Sequence, residues 1–171
     1  FFNANSQRSA VRKISLIPQP ASIVRGDDKA SFVLPSNLNI IVSKNDDVKK
    51  IAAGFSNQLS AATGYRINIK EGNTAVIKSI SLLLSADKTI PDEGYRLKVN
   101  SNGVALVAKN PAGIFYGVQT LLQLLPAQIL SKTSKDLKEW NIPFVTIEDY
   151  PRFGWRGLML DVSRHFFTVA Q

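Results

Sequence analysis

Hydrophobic and polar side chains alternate with period two over Tyr95–Asn100, and a second apolar run, Val104–Ala108, follows the pair Asn102-Gly103. Period two marks a half-buried strand and Asn-Gly suits a type I′ turn, so the two runs are predicted to form a hairpin. The pattern then becomes helical. Ile114, Phe115, Val118, Leu121, Leu122 and Leu125 recur at spacings of three and four, with Asn110 placed to cap the helix, Pro111 at its first position and Pro126 to stop it. Burying Phe115, Leu121, Leu122 and Leu125 is expected to contribute about 1.5–3 kcal/mol each before entropy is counted, which makes this helix the centre of the core.

The rest of the chain arranges itself around that unit. Residues 1–13 are polar and patternless and are expected to be a flexible lead-in. Ile14–Pro20 reads as an extended edge strand, because Pro18 and Pro20 push the residues before them out of the helical region. Ala21–Arg25 and Ser31–Leu34 flank a turn at Gly26–Asp28, and Leu38–Ser43 reads as a more buried strand. From Asn45 or Asp46 to Thr63 the apolar positions Val48, Ile51, Ala52, Phe55, Leu59 and Ala62 keep a helical period, and Gly64 is a C-cap. Tyr65–Lys70 alternates, Glu71–Asn73 turns, and Ser79–Leu84 is apolar enough for a central strand, with a loop from Asp87 to Glu93. Residues 131–139 are charged and serine-rich, as a surface loop would be. Trp140–Asp149 is extended, Pro151 breaks it, and Gly157–Val162 reads as a compact apolar strand. The composition divides the chain into a lead-in over residues 1–13, an α+β unit over residues 14–149 and a last strand within residues 150–171, with the boundary at residues 149–153.

Composition narrows the classes. The 171 residues are 44% hydrophobic and 20% charged, as in ordinary globular chains. No apolar run reaches the ~20 residues that cross a bilayer, and the start lacks the features of a signal peptide, so an exported chain would already have lost its signal. Without cysteine there are neither disulfides nor thiolate metal sites, which suits a reduced compartment or a bacterial envelope alike. A net charge of +8 invites a nucleic-acid reading, but Lys49-Lys50, Lys132, Lys135 and Lys138 are dispersed among acids and polar loops, and no RNA-binding aromatic motif accompanies them.

No hydrolytic constellation is complete within these residues. The pair Asp46-Asp47 suits the positive end of a helix dipole, and Asp92-Glu93 ends a loop. The single histidine, His165, reads as a hydrogen-bonded structural residue, and no histidine spacing suits a metal. No cofactor is expected. Arg156 and Arg164 bracket the last apolar strand, and a guanidinium offers the rigid fork of donors that can hold two adjacent hydroxyls. Arg156 has Asp149 or Glu148 as expected ion-pair partners, and the plain alternative for Arg164 is a salt bridge to Asp161.

Two stretches carry a resemblance. Glu93–Val99 with Ala112–Leu125 resembles the N-terminal domain of family 20 glycoside hydrolases, the β-N-acetylhexosaminidases, and Tyr150–Phe167 resembles the sequence with which that family begins its catalytic barrel. The resemblance implies an α+β fold, a largely antiparallel sheet with two helices on one face, followed by the first strand of an incomplete (β/α)8 barrel. It implies that Arg164, in a Ser-Arg-His motif past the end of that strand, binds hydroxyls of the terminal sugar, and that Arg156 is structural. Barrel sites assemble at the C-terminal ends of the strands, which agrees with that division. It also implies substrate-assisted retaining hydrolysis by an Asp-Glu pair farther along the barrel. A barrel takes roughly 200 residues or more, so the chain is expected to be an inactive N-terminal fragment of an exo-acting enzyme, packed on its own barrel, periplasmic or secreted. The parent would remove terminal N-acetylglucosamine or N-acetylgalactosamine, with no nucleic acid and no membrane span involved. The alternative is a free-standing carbohydrate-binding or interaction module, which predicts exposed aromatics on the open face of the sheet, with Tyr95, Phe144 and Tyr65 as candidates.

Overall fold

In the computed structural model the described residues are 14–27, 29–130, 137, 139 and 140–159. The strands are β1 (Ser22–Arg25), β2 (Ser31–Val33), β3 (Asn37–Val42), β4 (Arg66–Glu71), β5 (Ser79–Leu84), β6 (Tyr95–Asn100), β7 (Gly103–Ala108), β8 (Asn141–Pro143) and β9 (Val145–Asp149). The helices are α1 (Asp46–Thr63) and α2 (Pro111–Leu124), and a 3₁₀ turn, Ala127–Leu130, follows α2. Seven strands form one sheet in the order β1-β9-β6-β7-β5-β3-β4, and β2 and β8 pair separately. The α+β class with two helices holds, and antiparallel ladders outnumber parallel ones four to three. The parallel ladders gather on one side, among β7, β5, β3 and β4. That explains why Ser79–Leu84 is buried on both faces.

Both helices lie on one face. Leu106 stands against Gly117 of α2 and pairs in register with Leu82 and Leu97, so these side chains point toward the helices. α1 crosses from β3 to its parallel neighbour β4 and touches α2. The return from β4 to β5 passes over β3 in the opposite direction, and a right-handed connection must then cover the opposite face. Residues 72–78 do this. The Val76 N–H meets Ser81 Oγ at 3.4 Å, and Ser79 Oγ donates to the Val76 carbonyl at 2.6 Å. Two serines can therefore be buried in a central strand with their hydroxyls satisfied.

Several elements form as the sequence dictates. Asn45 caps α1, its Oδ1 accepting from the N–H groups of Asp47 and Val48, and Gly64 closes it at φ +71°. Asp46 and Asp47 lie in its first turn, at the positive end of the dipole. Other expectations are corrected. Ile14–Pro20 is not a strand: the edge strand begins at Ser22, and the earlier segment is held by Gln123, whose side chain exchanges two hydrogen bonds of 3.0 Å with the Ile17 backbone. The hairpin register pairs Asn100 with Gly103, so the loop is Ser101-Asn102, and only Gly103 has a positive φ. A type I′ turn needs two such residues, and Asn100 Oδ1 instead stabilises the loop by accepting from the Asn102 N–H at 2.9 Å. Asn110 caps α2 without a side-chain hydrogen bond. Phe115 is 47% exposed rather than buried, because Gly113, Gly117 and Leu124 complete the inward face. Trp140–Asp149 breaks at Phe144 into β8 and β9, which serve different sheets. Of the strand expected over Gly157–Val162, residues 157–159 are irregular, with Leu158 96% exposed and no neighbouring strand among the described residues; the remainder lies outside them. The loop expected at 131–139 and the lead-in at 1–13 also lie outside the described residues, apart from 137 and 139.

Candidate functional site

α2 contains no charged residue. Its inward positions meet the sheet, whereas Phe115, Tyr116, Gln119 and Gln123 recur on the other side, three and four residues apart. Helices that face water ordinarily place charges there, as α1 does with Asp46, Asp47, Lys49 and Lys50. Phe115 and Tyr116 meet edge to face, with ring centroids 5.8 Å apart. Next to them, the segment after β9 leaves Phe153 71%, Trp155 87% and Met159 92% exposed. An uncharged, partly aromatic surface of this kind is suited to burial against another part of a protein.

A cavity of about 580 Å³ lies between this side of α2, the segment around Pro18 and the chain after β9, with Tyr116, Gln119, Arg152 and Phe153 in its walls. Its inner wall is tied at Asp149, the last residue of β9. Asp149 Oδ1 accepts from the Ala21 N–H at 3.1 Å and Oδ2 accepts from the Tyr95 hydroxyl at 3.3 Å, while Thr120 Oγ1 lies 2.6 Å from the same hydroxyl. Burial pushes the Tyr95 phenol well above its ordinary range; the Thr120 hydrogen bond opposes this, and the Asp149 carboxylate adds to it.

Arg156 is the best-anchored residue of the exit segment. Its Nη1 donates to the Phe153 carbonyl at 2.6 Å, and its Nη2 donates to Glu93 Oε2 and to the Tyr116 hydroxyl, the latter at 3.2 Å. The guanidinium also stands 5.9 Å from the centre of the Tyr116 ring. The hydrogen bond to Glu93, then that to Tyr116, raises its pKa. The expected partners, Asp149 and Glu148, are displaced: Asp149 is engaged as above, and Glu148 pairs with Arg96 Nε at 3.0 Å. Glu93 lies 63 positions from Arg156, a separation at which sequence proximity gives no signal. Tyr116 and Thr120 were equally hidden, since as polar residues of a helix they look solvated. Arg164, Asp161 and His165 lie outside the described residues.

The remaining candidates resolve into structure. The face of the seven-stranded sheet away from the helices, covered in part by residues 72–78, presents Arg96, Lys98, Asn100, Thr146 and Glu148, among others, and no aromatic among the described strand residues. Tyr95 is 2% exposed under α2, and Phe144 and Tyr65 pack against the core. Lys49, Lys50, Arg96, Lys109 and Arg156 are each paired with acids. Among the described residues no group of three or more His, Asp or Glu is placed to hold a metal, and no helix is long and apolar enough to cross a membrane.

Residues 13–150 match the family described as glycosyl hydrolase family 20, domain 2. The chain is 37% identical over 156 residues to a β-hexosaminidase of Porphyromonas gingivalis, covering 91% of this chain and 20% of that protein. It is 30% identical to a β-N-acetylhexosaminidase of Cellulomonas fimi, covering 91% of this chain and 30% of the relative. Among solved structures, a mutant Streptomyces plicatus β-hexosaminidase in complex with its product GlcNAc superposes with a TM-score of 0.79 at 37% identity, over 91% of this chain and 30% of the other. The chain thus spans between a fifth and a third of the length of these relatives.

Proposed function

The chain belongs to glycosyl hydrolase family 20 as its domain 2, and from that premise we propose that it serves an exo-acting β-N-acetylhexosaminidase as the non-catalytic support of the catalytic barrel. The observation that carries this reading is the match over residues 13–150, ending where β9 ends, together with relatives of which this chain spans only a fifth to a third. The domain boundary falls at residues 149–153, and residues 150–171 open the barrel. The uncharged side of α2, the cavity beside it and the exposed Phe153 and Trp155 are the surface on which that barrel packs.

In this reading Arg164, past the end of the first barrel strand, holds two hydroxyls of the terminal N-acetylglucosamine or N-acetylgalactosamine with its forked donors. The acetamido group of the substrate acts as nucleophile, and an Asp-Glu pair of the barrel orients it and protonates the leaving oxygen. The whole protein acts in the periplasm or outside the cell. It is expected to release N-acetylglucosamine from an aryl β-N-acetylglucosaminide with the β-anomer appearing first by NMR; first release of the α-anomer, or no release, would refute the reading. Cell fractionation that finds the protein in the cytoplasm would refute the location.

A further inference from the structure

Glu93 is the third residue of a turn, Pro91 to Gly94, closed by the Gly94 N–H donating to the Pro91 carbonyl at 2.9 Å. Its φ is +61°, the left-handed region that this turn position ordinarily gives to glycine or asparagine because a Cβ crowds the backbone there. The surroundings hold the turn in place. A Cβ on Gly94 would meet the carbonyl oxygens of Pro91 and Asp149 at 3.0 and 3.2 Å, and a Cβ on Gly113 would stand 2.2 Å from the Gly94 carbonyl oxygen. The turn is pressed between the end of β9 and the first turn of α2, and a glycine at position 93 would suit it better. Glutamate supplies what glycine lacks: the carboxylate that receives Arg156 beside the Tyr116 hydroxyl.

Stability does not account for that choice. The Glu93 and Arg156 side chains are 42% and 41% exposed, and exposed ion pairs add little to folding. We propose that Glu93 is a positioning residue for the glycosidase site: it accepts a strained backbone in order to hold Arg156, and so fixes the direction in which the chain leaves this domain for the strand that precedes Arg164. The inference rests on the function proposed above. It separates two quantities that a merely structural residue would move together, because Glu93→Gly relieves the backbone while releasing the exit segment.

The test uses the whole protein with Glu93→Gly, Glu93→Gln, Arg156→Ala and the double variant Glu93→Gly/Arg156→Ala. Glu93→Gly is expected to melt at or above the wild-type temperature, yet the backbone amides of residues 154–158 exchange with deuterium about tenfold faster. Its kcat/KM for an aryl β-N-acetylglucosaminide should fall about tenfold, chiefly in kcat, since small misplacements of a site are costly. Glu93→Gln keeps the strained backbone and loses only the charge of an exposed pair, so it should melt close to wild type, with exchange between that of wild type and Glu93→Gly. The double variant should be no slower than the worse single one, as for two residues acting through one contact. Unchanged exchange and kcat/KM in Glu93→Gly, or a melting temperature that falls in step with activity, would overturn the role. A wild type without hydrolysis would remove the glycosidase reading and the catalytic half of this proposal, whereas unchanged exchange in an active Glu93→Gly enzyme would overturn the role of Glu93 alone.

Discussion

Tyr95 shows how much one side chain can report. Its ring lies in the core and its hydroxyl is shared between Thr120 and Asp149, so removing the oxygen leaves two polar partners short of a hydrogen bond. Tyr95→Phe is therefore expected to lose about 1–2 kcal/mol at neutral pH in urea melts. Because burial raises its pKa above the ordinary 10.0, the folded state keeps the proton longer than the unfolded state. The stability from this group is complete below pH ~10 and is lost as pH rises above it, so Tyr95→Phe should show a flatter alkaline decline than wild type. An equally steep decline would mean that another group titrates. The two arginines divide differently. In the whole protein Arg164→Ala should reduce kcat/KM at least tenfold without lowering the melting temperature, because hydrogen bonds to a charged group contribute about 1.5–3 kcal/mol each. Arg156→Ala should loosen the exit segment and lower the melting temperature. Unchanged kinetics for Arg164→Ala with a lowered melting temperature would leave it as a partner of Asp161.

At the scale of elements, three helical glycines separate space from propensity. A Cβ on Gly54 of α1 meets nothing within 4 Å, so Gly54→Ala should gain about 0.5–1 kcal/mol from helix propensity. On Gly117 of α2 it would lie 2.3 Å from Leu106 Cδ1, a side chain that can shift in part, whereas on Gly113 it would meet the Gly94 backbone. Overpacking commonly costs about 1–3 kcal/mol, so stability should fall in the order Gly54→Ala, Gly117→Ala, Gly113→Ala, and thermal melts that rank them otherwise would contradict the packing of α2 on the sheet. The same elements mark what the sequence makes legible. α1 is legible throughout because its cap, period and C-terminal glycine agree, and β5 because both of its faces are apolar or small. The outward turn of Phe115 is not legible, because a period of 3.6 identifies a face without saying whether glycines will fill it. Nor are the parallel pairings, since the strap over residues 72–78 carries no pattern of its own, or the partner of Arg156, which comes from a distant loop.

For the whole molecule, the helix-bearing face and the exit segment say more than the net charge does. Among the described residues Lys49, Lys50, Arg96, Lys109 and Arg156 are paired with acids, and the sheet face away from the helices lacks the aromatic platform of a sugar-binding module. The side that remains unexplained by folding is the uncharged surface of α2 with Phe153 and Trp155 beside it. In the function proposed above, that surface is where the catalytic barrel packs. The central claim is that this chain supports the chemistry without performing it, and the direct measurement compares the purified 171-residue chain with the whole protein at equal molarity on an aryl β-N-acetylglucosaminide. Steady release of the aryl group is expected from the whole protein and none above background from the chain; turnover by the chain alone, or an inert whole protein, would contradict a supporting, non-catalytic role.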